Sequence, residues 1–287
     1  MPQLTTPLME LPGMVSGEPV KVLVREPAEA DPLWVYDRIV AGRYERPFII
    51  DDGQTRQLFF NLDFIQSSMR LDDPFTLDCA YTRKMMAFLL FVPDPGRVLM
   101  IGLGGGSLAK FCYRHLPRAR LTVVEVNPDV IAMRGAFKVP EDERLAIVEA
   151  DAVDYLPTTE GDTDVLLLDG FDARGIAPRF LDRAFYRAAQ RRLRPGGVLV
   201  ANFAGTRKRW SRHLDLLNEV FEGRVRMGTV PGGDNHIAFA EACRPLDWER
   251  LEERADALAE RFPLDFSALV RSLRQGAGLS WAKAGCR

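Results

Sequence analysis

The chain has 287 residues, of which 47% are apolar and 27% charged, enough to bury a sizeable core and too apolar for a disordered chain. A formal net charge of −2 carries no basic excess of the kind that draws a protein to nucleic acid or an anionic membrane. Four cysteines, Cys79, Cys112, Cys243 and Cys286, show no CxxC pairing, which fits reduced thiols in the cytoplasm rather than a disulfide frame or a zinc site. The first residues lack a basic stretch followed by an apolar one, and no apolar run reaches the roughly 18 residues of a membrane helix, so neither a signal peptide nor a membrane span is expected.

In chain order, residues 1–80 read as a small β domain. The runs VKVLV (20–24), RPFIID (46–51) and RQLFFNL (56–62) are β-rich, with DDG at 51–53 as a turn. Helical periodicity begins at Tyr81 in YTRKMMAFLLF and stops before Pro93 and Pro95. An alternation follows over 81–245: strand RVLMIG, helix SLAKFCYRHL, strand LTVVEV, helix PDVIAMRGAF, strand LAIVEA, strand DVLLLDG, helix RFLDRAFYRAAQRRL and strand VLVANF. Strands apolar throughout, alternating with helices, predict a parallel sheet covered on both faces, an α/β doubly wound fold. TRKRWSRH (206–213) is a basic run read as a solvated loop or helix start, and residues 246–287 as a C-terminal helical extension covering the core.

Ligands of such a sheet lie outside the carboxyl ends of its strands. After the first of these strands comes Gly102-Leu103-Gly104-Gly105-Gly106-Ser107. Ser107 breaks the dinucleotide spacing GxGxxG, while Gly102, Gly104 and Gly106 satisfy GxGxG, where missing Cβ atoms let backbone approach a ligand. The second strand ends at Glu125, whose carboxylate can accept ribose hydroxyls. The third ends at Asp151-Ala152, where a carboxylate can take the exocyclic amine of adenine or merely cap the next helix. The fourth ends at Asp169. Together these point to a nucleoside without a pyrophosphate, since no phosphate clamp accompanies the glycines.

On these residues the run Ile101–Asn202 resembles the class I S-adenosylmethionine-dependent methyltransferase fold, and within it the spermidine synthases, or polyamine aminopropyltransferases. FNLDFIQSSMRLDDP, with Gln66 and Asp72-Asp73, resembles that family's segment ahead of the catalytic domain, and Asp169-Gly170-Phe171-Asp172 its Asp-x-x-Asp. The resemblance implies that Asp169 accepts a proton from the attacking amine and that Asp172 helps bind it. A protonated amine cannot attack carbon, so the reaction needs such a base. It further implies Gln66 near the cofactor's sulfur, Tyr81 as a wall of the amine pocket, decarboxylated S-adenosylmethionine as the group donor, an amine as small-molecule substrate, and a homodimer.

Three positions depart from the family. Gly105 stands where it has aspartate, Arg83 where its Tyr-x-Glu has glutamate, and Ala173-Arg174 follow the second aspartate in place of proline. Lost carboxylates and gained guanidiniums predict a weakened polycation site that aspartate at 105 with glutamate at 83 should restore. The leading expectation is an aminopropyltransferase. One alternative is a methyltransferase using S-adenosylmethionine itself; another is a non-catalytic nucleoside-binding homologue. His115, His213 and His236 lack metal-ligand spacing, so no metal is expected.

Overall fold

The computed structural model describes residues 8–172, 175–230, 235–241 and 247–277. Ala173, Arg174, Cys243, Cys286 and the side chain of Asp172 lie outside the described residues.

Five strands, β1 (Met9–Val15), β2 (Glu18–Val24), β3 (Phe48–Asp51), β4 (Thr55–Phe59) and β5 (Ile65–Arg70), pair antiparallel in sequence order. Helix α1 (Pro32–Val40) links β2 to β3, with proline in its first turn and Asp31 as N-cap, accepting the Leu33 N–H at 2.9 Å. The DDG turn closes because Asp51 Oδ1 accepts the Gly53 N–H at 2.9 Å and Gly53 takes φ +83°. Leu11, Val22, Val35, Phe48 and Phe59 bury together between sheet and helix, the two phenylalanines stacked at 5.6 Å. The runs at 20–24, 46–51 and 56–62 thus sit on real strands; β1 and α1 went unread because Pro12 and Gly13 interrupt the one, and Trp34 and Val40 leave the other with exposed apolar residues.

Helix α2 (Ala80–Met85) runs into a 3₁₀ segment, Met86–Leu90, and leads to the second sheet. Its chain order is β6 (Arg97–Ile101), α3 (Ser107–His115), β7 (Arg120–Glu125), α4 (Pro128–Ala132), β8 (Leu145–Glu149), α5 (Ala152–Tyr155) and β9 (Thr163–Leu168). A short pair, β10 (Phe171–Asp172) and β11 (Gly175–Ile176), precedes α6 (Arg183–Arg192), β12 (Leu193–Ala204), α7 (Arg207–Val220), β13 (Val225–Thr229) and β14 (Asn235–Glu241). The spatial order is β13-β14-β12-β9-β6-β7-β8. The stretch from β12 to β8 is parallel as expected, while β14 and β13 run antiparallel at one edge. Such an added edge is common on doubly wound sheets, and its short runs beside Gly228 gave no strand signal.

Both faces of the sheet are covered. One packs Phe111 of α3 and Met85 of α2, and the other Phe185 of α6 and Leu217 of α7. The basic run at 206–213 starts α7, with Trp210 and His213 buried. Helices α8 (Trp248–Ala259) and α9 (Phe266–Ala277) continue the first face's core through Leu251, Leu258, Phe266 and Leu273. Each such buried side chain contributes roughly 1.5–3 kcal/mol relative to exposure. Arg254 of α8 donates to the carbonyl oxygens of Leu90 and Phe91 at 2.7 and 3.2 Å, satisfying carbonyls where the 3₁₀ segment ends.

The order of strand addition reverses at β6: β7 and β8 lie on one side, β9 and β12 on the other. The crevice at such a switch point opens beside the carboxyl ends of β6 and β9. There the Asp169 N–H donates to the Ile101 carbonyl at 2.9 Å, joining the two strand ends.

Candidate active site

Gly102, Gly104 and Gly106 have φ of +97°, +52° and +70°. This left-handed backbone favours glycine. Contacts reinforce the requirement: a Cβ on Gly102 would sit 2.3 Å from the Asp169 carbonyl oxygen, and one on Gly106 2.5 Å from Val139 Cγ2. The turn is held from below by Glu125, which is 9% exposed. Its Oε2 accepts the Leu103 N–H at 2.8 Å and its Oε1 the Asn127 N–H at 2.9 Å. Burial pushes the Glu125 pKa up, and these amides pull against that rise. Each carboxylate oxygen has a second lone pair, so the clamp leaves acceptor capacity for a ligand's hydroxyls.

Asp151 caps α5, accepting the Val153 N–H at 2.9 Å, and ion-pairs with Arg179. The capping alternative is therefore realised, with a guanidinium partner that the sequence did not suggest. Ala152, the first residue of α5, is buried among Val124, Leu156 and Leu168.

Asp169 is the centre of a polar chain. Its Oδ1 accepts from Asn202 Nδ2 at 2.8 Å, and its Oδ2 from the Tyr81 hydroxyl at 3.2 Å. Asn202 Oδ1 in turn accepts from Asn235 Nδ2 at 3.0 Å. Tyr81 comes from α2, Asn202 from the carboxyl end of β12 and Asn235 from the start of β14, so three elements orient one carboxylate. Burial pushes the Asp169 pKa up to about 6, against the lowering effect of the Asn202 and Tyr81 hydrogen bonds. A base with that pKa is ionised at neutral pH and less reluctant to take a proton than an exposed carboxylate.

A pH dependence follows. Asp169 loses its carboxylate form as pH falls through about 6, so a reaction that uses it as a base should show kcat/KM dropping below that point. Tyr81→Phe removes a hydrogen bond that lowers the Asp169 pKa, and should move this acidic limb to higher pH. A pH–rate profile checks it; an unmoved limb would mean that Asp169 is not the titrating base.

Other expected residues are not drawn into this cluster. Gln66 precedes Ser67 on β5, and strand alternation sends its side chain to the opposite face from Ser67, whose Oγ lies near the glycine turn. Asp72 ion-pairs with Arg70 and Asp73 with Arg114. Arg83 is exposed and donates to the carbonyls of Leu77 and Asp78 at 2.6 and 2.7 Å, so it braces that loop. The restoration expected from aspartate at 105 also meets a physical obstacle. A Cβ there would lie 2.7 Å from Ser67 Oγ and 2.8 Å from Phe137 Cδ1. Glycine at 105 is matched by a phenylalanine ring that occupies the side-chain space, and the ring would have to move first.

Asn202 and Asn235 were not singled out from the sequence. Asn202 carried a readable signal, an amide at the carboxyl end of the otherwise apolar VLVANF. Among the described residues, no group of three or more His, Cys, Asp or Glu side chains could hold a metal ion, and no helix is long and apolar enough to cross a membrane.

With this geometry in place, comparison with known proteins gives the family. The family model for the spermine/spermidine synthase domain matches residues 78–219. A polyamine aminopropyltransferase of Chromobacterium violaceum is 42% identical over 231 residues, 79% of this chain and 88% of the relative. The chain belongs to the polyamine aminopropyltransferase, or spermidine synthase, family. In fold it is similar to a probable spermidine synthase from Corynebacterium glutamicum, with a TM-score of 0.64 at 21% identity, covering 85% of this chain and 95% of that one. It is also similar to human methyltransferase-like protein 13 in complex with SAH, with a TM-score of 0.57 at 24% identity, covering 68% and 93%.

Proposed function

We propose that the chain transfers the aminopropyl group of decarboxylated S-adenosylmethionine to a small amine, with Asp169 as proton acceptor. The observation that carries this reading is the Asp169 carboxylate, oriented by Tyr81 and Asn202, on a residue whose backbone packs against Gly102 at the switch point. The glycine turn, bare of Cβ atoms and backed by the Glu125 carboxylate, suits an adenosyl thioether. When bound, the decarboxylated cofactor supplies a sulfonium-activated methylene for attack. The chain's part is to hold the amine and take its proton. Asp169 attracts the ammonium while charged, and its raised pKa favours accepting a proton as the new carbon–nitrogen bond forms. Asp151 and Ala152 are assigned to the nucleoside side, and Tyr81 and Asp172 to the amine side.

The acceptor end is less acidic than the resemblance implies. Gly105 is backed by the Phe137 ring and offers no carboxylate. The missing charge favours an acceptor less cationic than a diamine, with putrescine a poor substrate. The methyltransferase reading keeps one specific support, the missing carboxylate at Gly105. Side-by-side calorimetric titration with methylthioadenosine, decarboxylated S-adenosylmethionine and S-adenosylmethionine separates the two. The decarboxylated form should bind at least tenfold tighter than the intact one, and the reverse order would contradict the proposal. The same reading makes the protein a cytoplasmic homodimer. Exposed Leu62, Phe64 and Ile65 offer apolar surface for assembly, and light scattering at micromolar concentration should give twice 32.3 kDa rather than the monomer mass.

A further inference from the structure

Gly102, Glu125 and Asp169 stand at the carboxyl ends of β6, β7 and β9. At the opposite ends of the same strands lies a cavity of about 240 Å³. At roughly 3.3 Å per residue, the length of β6 puts it about 15 Å from the glycine turn. Arg97 opens β6 and Arg120 opens β7; the two are register partners on adjacent parallel strands, and both line the cavity. Neither side chain has an ion-pair or hydrogen-bond partner among the described residues. Like charges side by side on paired strands repel, so the sheet gains nothing from this pair by itself.

A third guanidinium lines the same cavity. Arg192, at the end of α6, is 3% exposed. Its Nη1 donates to the Thr158 hydroxyl and the Thr159 carbonyl at 3.3 and 3.2 Å. Its Nε makes no hydrogen bond, although Asp162 Oδ1 lies 3.3 Å away. That oxygen already accepts from the Thr163 hydroxyl at 2.8 Å. Asp162 is thus one carboxylate set against three guanidiniums that line the cavity, and it is paired with Arg192, which leaves Arg97 and Arg120 without a counter-charge.

We propose that this cavity binds a phosphate-type oxyanion: inorganic phosphate or pyrophosphate, or the phosphate end of a nucleotide. Guanidinium forks match phosphate oxygens with paired hydrogen bonds, and three converging on one cavity answer a multivalent anion. The volume suits the ion rather than a whole nucleotide, whose remainder would extend outside. The site is independent of the transfer reaction, so its test stands apart from that of the enzyme activity.

The test is calorimetric titration of the full chain at low ionic strength with phosphate, pyrophosphate and ATP in separate runs, backed by thermal shift. The expected result is binding that weakens as salt is raised and is at least tenfold weaker in Arg97→Ala/Arg120→Ala. Both substitutions fall on exposed side chains, so the double variant should fold, and near-ultraviolet circular dichroism identical to that of the wild type confirms it. Pyrophosphate binding as tightly as ATP identifies the free anion as the ligand, and tighter ATP identifies a nucleotide. No binding of any of the three, or equal affinity in wild type and double variant, overturns the proposal.

Discussion

Asp169→Asn should lower the rate of group transfer by about 10²–10⁴, the usual cost of losing a general base, while leaving methylthioadenosine affinity unchanged. Asparagine keeps the size and can still meet Asn202 and Tyr81, but cannot accept a proton at neutral pH. The same substitution should raise thermal stability. Burial raises the folded-state pKa of Asp169 to about 6, above its ordinary 3.8. The folded protein therefore holds a proton that the unfolded chain releases between those values, and folding stability falls as pH rises through that window. At pH 7.5 the penalty is fully present, and asparagine removes it for a gain on the order of 1–3 kcal/mol. The gain in melting temperature should shrink as pH is lowered towards 4. Steady-state kinetics and melting curves on one preparation check both halves. A variant that is slow and less stable would point to a structural rather than a catalytic carboxylate.

Gly102→Ala should be the most damaging single change in the glycine turn. Its φ of +97° is unfavourable for any side chain, and the added methyl would lie 2.3 Å from the Asp169 carbonyl oxygen. Neither group can yield cheaply. The clash is with backbone, and the Asp169 N–H is tied to the Ile101 carbonyl. Strain of a left-handed residue alone costs about 1–3 kcal/mol, and relieving the clash means displacing Asp169 and the carboxylate it carries. Nucleoside affinity and transfer rate should therefore fall together, by tenfold or more. In contrast, Gly135→Ala, where an added Cβ meets nothing within 4 Å, should change neither. Titration and kinetics on the two variants decide it, and a Gly102→Ala protein with wild-type binding would remove the glycine turn from the nucleoside site.

What the sequence disclosed, and what it hid, follows from how far apart the interacting residues are. The strand ends at Gly102, Glu125, Asp151 and Asp169 were legible because each follows an apolar run that reads as a buried strand. Doubly wound topology then places all four along one edge of the sheet. The partners of those residues were not legible. Asn202 meets Asp169 across 33 positions, Arg179 meets Asp151 across 28, and Tyr81 reaches Asp169 across 88. No periodicity in the chain encodes such contacts, although the family resemblance brought Tyr81 to the amine pocket. Gly105 shows the limit of reading a substitution alone. Its lost carboxylate was visible in the sequence, but the Phe137 ring that takes up the space comes from beyond α4 and appears only once the chain is folded. Arg83 shows the converse. A charge next to Tyr81 in sequence looked like part of the acceptor pocket, yet the helix turns it onto the carbonyls of Leu77 and Asp78.

The central claim is that the group moved is aminopropyl. Mass spectrometry of the spent nucleoside tests it most directly, after incubating the purified protein with decarboxylated S-adenosylmethionine and S-adenosylmethionine together and a panel of small amines. The predicted result is methylthioadenosine, formed in step with an acceptor heavier by one aminopropyl group and absent with Asp169→Asn. S-adenosylhomocysteine with a methylated acceptor, and no methylthioadenosine, would contradict it.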